Sequence, residues 1–290
     1  MTLVDNGKIS YSNPVRQSLF TFEDCKGSSK KKAQAAADAL RKIYPGVDVK
    51  CYPDLTIPMP GHPISKATLE SSKKNWEILD ELVQSHDTIF LLTDSRESRW
   101  LPSVMAASYG KLAVTSALGF DSFLVMRHGF SSPAEPSSNA KVGCYFCTDV
   151  VGPTNSLRER TLDQQCTVSR GGTSMLASGL AVELMISVLN HPLGPAAPAN
   201  SADSCLGIVP HQIRGFLSKY EQLIMQSPAF NQCSACSKQV VETYLNDKFE
   251  MVQKACSNSN YLEEISGLAE LQRESAKLSL EDFTSEFDDD

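Results

Sequence analysis

The chain has 290 residues, of which 41% are hydrophobic and 21% charged. That length buries a core without disulfide staples. The net charge of -7, from 27 Lys and Arg against 34 Asp and Glu, argues against a general nucleic-acid binder. No apolar run reaches 18 residues and the start shows no hydrophobic leader, which speaks against membrane insertion and secretion. The nine cysteines then point to metal or catalysis before disulfides, and the expected compartment is the reducing cytosol.

In chain order, Leu3 and Val4 read as the end of a strand and Asp5-Asn6-Gly7 as a turn. Ser28 and Ser29 offer an N-cap for an Ala-rich helix over Lys30–Tyr44, which Pro45-Gly46 stops. Val47–Tyr52 alternates as a strand does, and Leu69–Ser85 has helical spacing. Thr88–Leu92 is wholly apolar, the pattern of a strand buried on both faces. A helix closing at Ala106–Ser108, with Pro102 near its start, precedes two strands over Leu112–Thr115 and Phe123–Met126. Strands alternating with helices predict an α/β fold with a mostly parallel sheet flanked by helices.

After residue 130 the texture changes. Ser131–Ala140 reads as a loop, Val151–Arg170 is polar, and Met175–Leu189 reads as a buried core helix. His191–Ser204 reads as a linker, and 208–256 as helical material around a cysteine pair. Residues 261–290 carry ten acids and two bases, with Leu262, Ile265, Leu268 and Leu271 at helical spacing. This is an acidic tail, expected to be flexible, on an otherwise neutral body.

Three constellations carry chemistry. Cys144-Tyr-Phe-Cys147 and Cys233-Ser-Ala-Cys236 have the spacing at which two pairs of thiolates complete one tetrahedral site. Coincidental core cysteines are the plainer alternative. Cys166 stands outside both pairs in an arginine-bearing stretch, where cations favour the thiolate. On local sequence alone an ordinary cysteine is the better reading of it. Near the N-terminus, Asp5 and Asp94 follow strand ends, where α/β folds present carboxylates to ligands. Arg16 and Lys32 are cations suited to phosphate, and Asp94 is placed to hold magnesium. No glycine-rich phosphate loop of either common type occurs anywhere in the chain.

At this point the sequence resembles the autophagy member of the ubiquitin-like modifier-activating enzymes. The resemblance lies in Ile9-Ser-Tyr-Ser-Asn-Pro-Val-Arg-Gln17 and Asp94-Ser-Arg-Glu-Ser-Arg-Trp-Leu-Pro102. It continues in Ala117-Leu-Gly-Phe-Asp121, Val125-Met-Arg-His-Gly129, Thr161-Leu-Asp-Gln-Gln-Cys-Thr-Val-Ser-Arg170 and Val209-Pro-His-Gln-Ile-Arg-Gly-Phe-Leu217. The resemblance implies that Asp5 binds the ATP ribose. It implies that Asn13, Arg16, Gln17 and Lys32 hold the phosphates and that Asp94 coordinates Mg2+. Cys166 would form the thioester on a crossover loop over 151–173, and Cys144, Cys147, Cys233 and Cys236 would hold structural zinc. It further implies a homodimer that activates ubiquitin-like autophagy modifiers, recruits them through its tail and passes them to conjugating enzymes. The family carries an upstream domain, a strand and a glycine-rich loop before the point that matches Met1. The expected organisation is therefore an N-terminally incomplete adenylation domain over 1–257 and an acidic tail over 258–290. The alternative is a non-catalytic, zinc-stabilised dimeric module that captures the modifier through that tail.

Overall fold

A computed structural model describes residues 1–129, 141–156, 169–258 and 260–285, with backbone alone at 201, 203 and 278–285. β1 (Thr2–Val4) leads through α1 (Lys32–Ile43) to β2 (Lys50–Tyr52), which pairs parallel to β1 with Leu3 opposite Cys51. Ala33, Ala35 and Ala37 face inward along α1. Their small side chains let the helix backbone lie close to what it covers. Neither Ser28 nor Ser29 caps this helix. The cap is Lys31, with no side-chain hydrogen bond, and Ser29 sits at φ +43° instead. The start is set by tertiary pairing: the Lys32 N–H donates to the Gly7 carbonyl at 2.9 Å, and Lys8 bridges Lys31.

The second unit runs α2 (Leu69–Ser85), β3 (Thr88–Leu91), α3 (Arg96–Ser108) and β4 (Leu112–Leu118), with β3 parallel to β4. β3 is less buried than its apolar run predicts. Only Leu91 is fully covered, and Leu92 is 63% exposed. The reason is position, because among the described residues β3 pairs with β4 alone and so forms a sheet edge. Pro102 lies in the interior of α3, not near its start. An interior proline removes a backbone hydrogen bond. α3 tolerates it because Trp100, Leu101, Val104 and Met105 are completely buried and fix the helix from outside.

From β4 onward the sheet turns antiparallel, through β5 (Ser122–Arg127), β8 (Gln212–Phe216) and β9 (Glu221–Met225), in the order β3-β4-β5-β8-β9. α4 (Gly171–Leu189) packs one face against β4 and β5, burying Ala177, Ala181, Leu184 and Val188. It is not the fully buried helix its sequence predicts, since Met175, Leu176, Val182 and Leu189 are exposed on the other face. A short hairpin, β6 (Ser201–Ser204) with β7 (Gly207–Val209), occupies part of the expected linker. Residues 207–225 therefore hold three strands, β7, β8 and β9, with their connections, and the helical material begins only at α5 (Lys238–Asp247). α6 (Phe249–Ser257), α7 (Tyr261–Ser266) and α8 (Leu268–Ser285) follow, so the acidic tail is helical through residue 285. Leu262 and Leu268 are buried, which anchors the root of the tail to the body.

The main core joins α2, α3, α5, α6 and α7 around Trp76, Trp100 and Phe146. A polar knot lies within it. The Tyr244 and Tyr109 hydroxyls donate to Asp80 Oδ1 at 2.5 and 2.6 Å, and Gln84 Nε2 donates to Oδ2 at 2.6 Å. Trp76 Nε1 donates to the Tyr244 oxygen at 3.2 Å, and Lys248 Nζ to the Tyr109 oxygen at 2.9 Å. Burial, and then the Asp80 carboxylate, push both phenols well above their ordinary range, so both stay donors. Asp80→Ala strands these donors without an acceptor. We expect it to cost about 3 kcal/mol of stability in denaturant titration, against under about 1 kcal/mol for the exposed Glu77→Ala.

Candidate functional site

Asp5 and Asp94 each lie just beyond the C-terminal end of a parallel strand, β1 and β3, the edge at which open α/β sheets receive ligands. Asp5 Oδ1 accepts the Gly7 N–H at 2.8 Å, and Lys32 Nζ lies 3.9 Å from Oδ2. Gly7 is needed here, because a Cβ would come within 2.9 Å of Asp5 Oδ1 and 3.4 Å of the Lys32 stem. The sequence-predicted carboxylate and lysine are thus brought together by one turn.

Asn13, Arg16 and Gln17 share the next turn. Asn13 is 3% exposed, and its Oδ1 accepts the Ser10 N–H at 3.0 Å. Its carbonyl accepts the Arg16 and Gln17 N–H groups at 3.1 and 2.8 Å. The Asn13 side chain is therefore partly engaged in shaping the turn that presents the other two. The Arg16 carbonyl accepts from Ser174 Oγ at 2.8 Å, which seats the turn on the first turn of α4. A Cβ on Gly171 would sit 3.4 Å from the Val15 carbonyl, so the contact is close.

Among the described residues, Arg16 Nε, Thr93 Oγ1 and Thr173 Oγ1 are buried without a hydrogen-bond partner. Buried polar atoms are rarely left unsatisfied. Arg16 belongs to the anion-binding set named from sequence, Thr93 directly precedes Asp94, and Thr173 is next to Ser174. Sequence reasoning missed both threonines because a lone threonine carries no spacing signal. Cys166 lies outside the described residues. The segments on either side of it are described, ending at Ser156 and resuming at Ser169.

The two Cys-x-x-Cys pairs meet. Cys144 Sγ lies 3.6 Å from Cys233 Sγ and 3.8 Å from Cys147 Sγ, and Cys147 Sγ lies 3.4 Å from Cys236 Sγ. All four sulfurs fall within 4.8 Å of one another. These are not disulfide distances, and all four cysteines are free. Four sulfurs at about 2.3 Å from one ion in a tetrahedron stand just under 4 Å apart, so the set fits zinc. The chain pre-orients them, with Cys144 N–H donating to Cys147 Sγ at 3.2 Å, Phe146 N–H to Cys144 Sγ at 3.3 Å and Ala235 N–H to Cys233 Sγ at 3.4 Å. Hydrogen bonding from Cys144 holds the Cys147 thiol well below its usual range, while burial pushes Cys144 up.

His211 braces the same knuckle. Its Nδ1 accepts the Ser227 N–H at 3.2 Å, so its Nε2 is the donor to the Gly143 carbonyl at 2.9 Å. Burial lowers its pKa to about 4, which keeps the ring neutral. Arg99, 4% exposed, donates to Tyr145 Oη at 2.9 Å and stacks at 4.9 Å on that ring, which lies between the two cysteines of the first pair in sequence.

Residues 1–240 match the model of the ThiF family. The chain belongs to the ThiF family. It is 48% identical to the ubiquitin-like modifier-activating enzyme ATG7 of Homo sapiens, over 99% of this chain and 45% of that one. It is also 48% identical to the ATG7 of Pichia angusta, over 99% of this chain and 47% of that one. The chain thus spans about half the length of the curated relatives it matches. Among solved structures, Escherichia coli MccB superposes with a TM-score of 0.52 at 14% identity, over 82% of this chain and 58% of that one. The MccB structure with ATP gives 0.50 at 15% identity, over 81% and 59%. These likenesses establish the α/β adenylating-enzyme fold.

Proposed function

We propose that this chain is the adenylating and thioester-forming part of an enzyme that activates ubiquitin-like autophagy modifiers. The match to named modifier-activating enzymes over 99% of the chain carries the reading. In it, Asp5 holds the ATP ribose, and Asn13, Arg16, Gln17 and Lys32 hold the phosphates. Asp94 supplies the carboxylate for Mg2+, which offsets phosphate charge when bound. The modifier's C-terminal carboxylate attacks the α-phosphorus of ATP and pyrophosphate leaves. Arg16 and Lys32 offset the charge that develops on the phosphate oxygens. Cys166, as thiolate, then attacks the acyl carbon and AMP departs. A conjugating enzyme's cysteine takes the acyl group by thiol exchange. Zinc at Cys144, Cys147, Cys233 and Cys236 is structural, because a closed four-thiolate site leaves no position for substrate. The setting is the cytoplasm. The test is a modifier joined to Cys166, in the presence of ATP, by a bond that free thiol cleaves.

The homodimer belongs to the same reading, and α4 supports it. Its outer face carries Met175, Leu176, Val182 and Leu189, all exposed. The helix is long and apolar enough to cross a membrane, yet its inner face is bound into the core, which leaves the outer face for a second copy. Val182→Asp places two carboxylates in such an interface. We expect the dimer dissociation constant to rise about a hundredfold in sedimentation equilibrium, with unfolding unchanged. An unaltered mass distribution excludes this face.

The tail, 258–290, recruits the modifier in this reading. Its acidic balance suits a basic partner. Its first part is helical, α7 and then α8 after Gly267, and sets Leu271 at helical spacing from Leu268.

A further inference from the structure

The first turn of α3 touches two functional regions. It begins directly after Asp94, and its first two residues, Arg96 and Glu97, both turn to the chain over 149–156. That stretch holds the last described residues before the segment that bears Cys166. Arg96 Nη2 donates to Asp149 Oδ2 at 2.6 Å and to the Val151 carbonyl at 3.4 Å. Glu97 is wholly buried. Its Oε1 accepts the Ser156 N–H at 3.3 Å, and the Ser156 hydroxyl lies 3.1 Å from Oε1 and 2.8 Å from Oε2. His62 Nε2, which has no hydrogen-bond partner among the described residues, faces Oε1 at 3.8 Å. Beside it, Gly61 adopts φ +78° and passes so close that a Cβ would lie 2.5 Å from the Asn155 nitrogen.

The same stretch is held from its far side. The Gly152 N–H donates to Glu263 Oε1 at 2.7 Å, and Gln272 Nε2 donates to the Val150 carbonyl at 2.6 Å. Where the chain resumes, Ser169 Oγ donates to the Gly119 carbonyl and the Arg170 N–H to the Phe120 carbonyl, each at 2.8 Å. Ser174 Oγ completes the set at the Arg16 carbonyl. The points of departure and return are thus both fastened to elements that carry the proposed nucleotide residues: α3 after Asp94, and the turn of Arg16.

A buried carboxylate is a poor device for stability alone, since an apolar side chain of the same volume packs there at no greater cost. What a carboxylate adds is direction. Two acceptor oxygens engage both the backbone N–H and the hydroxyl of Ser156, so the orientation of Ser156 itself is held. We propose that Glu97 is a positioning residue for the thioester step. It locks Ser156 to the helix turn that presents Asp94, and so sets where Cys166 is delivered relative to the acyl-adenylate. The role rests on the reading of Cys166 as nucleophile. Catalytic groups lose rate steeply when displaced by about 1 Å, which is why an anchor of this kind matters to the second step and not the first.

The test compares Glu97→Ala, Glu97→Gln, Ser156→Ala and the Glu97→Ala/Ser156→Ala pair. Amide hydrogen exchange over 149–156 is measured on the 290-residue chain. Modifier-dependent ATP–pyrophosphate exchange and the single-turnover rate of thioester formation at Cys166 are measured with the chain replacing the matching part of the human relative. For Glu97→Ala we expect the amides of Gly152 and of 154–156 to exchange about tenfold faster or more. Thioester formation should fall about thirtyfold, while pyrophosphate exchange stays within about threefold. Glu97→Gln, which keeps the shape and one acceptor oxygen, should lose less than Glu97→Ala. The pair should be no slower than Glu97→Ala, because both changes remove one interaction. Unchanged amide exchange, equal losses in both reactions, or additive losses in the pair overturn the proposal. A wild-type protein that performs pyrophosphate exchange but forms no thioester overturns the Cys166 reading itself, and Glu97's role falls with it. In that event the amide exchange still shows whether the anchor exists.

Discussion

Cys166→Ser is expected to convert a transient thiol-labile adduct into a lasting ester. The serine oxygen can still attack the acyl-adenylate, more slowly, because a hydroxyl lacks the thiolate population that a cysteine has at neutral pH. Once formed, the oxyester resists the conjugating enzyme's thiol, so the modifier stays on the chain. Cys166→Ala removes the acceptor altogether. Transfer to a conjugating enzyme should then fall on the order of a thousandfold or more, while modifier-dependent pyrophosphate exchange continues. The measurement is a denaturing gel of the chain with modifier and ATP, with and without reducing agent. The chain spans 45% of the human relative, so it is assayed alone and in place of the matching part of that protein. A thiol-labile adduct that survives Cys166→Ala places the nucleophile at another cysteine. Cys205, exposed, is then the first to examine, because burial pushes the Cys256 thiol up to about 12.

What the sequence made legible depended on whether its signal was local. α2 is found at the bounds its periodicity predicts, because apolar spacing over 17 residues is a property of the segment itself. The four-cysteine centre was legible for the same reason twice over, since each pair announces itself by spacing. Their meeting across 89 residues is the part that only the fold shows. The misreadings share one cause, a missing or unexpected tertiary partner. The β3 run looks like a central strand, yet it pairs on one side. The α4 run looks like core, yet only one face of the helix is packed, against β4 and β5. Lys31 begins α1 without a capping side chain because Gly7 fixes the next residue from a distance. Glu97 carries no local signal of a role. Its meaning lies in Ser156, 59 positions away, and no pattern within one helix turn encodes that.

Removing the metal should cost more stability than any side-chain substitution outside the cysteine centre. Cys144, Cys147 and Cys233 belong to the main core beside Phe146, Ala235 and Val240, so the ion would be a packing centre and not a surface clip. It would also close a loop of 89 residues, joining the segment after β5 to the start of α5. Without it, four sulfurs within 4.8 Å of one another face a choice of poor states. Thiolates repel, and neutral thiols leave the inward N–H groups of Cys144, Phe146 and Ala235 with weak acceptors. Structural zinc sites draw their folding energy from the same ligand set. We expect one zinc per chain by elemental analysis, and a melting temperature lowered by about 10 °C or more on chelation. Cys147→Ser should do the same without chelator, because a serine oxygen is a poor replacement for a thiolate in a four-sulfur zinc site. Loss of order should start at the contacts between α3 and α5, where Trp100 Nε1 donates to the Ser234 carbonyl at 2.9 Å, between the two ligands of the second pair. A chain that purifies without metal and melts at the same temperature with and without chelator would reduce the cluster to four packed thiols. The hydrogen bonds now aimed at sulfur would then have no ion to serve.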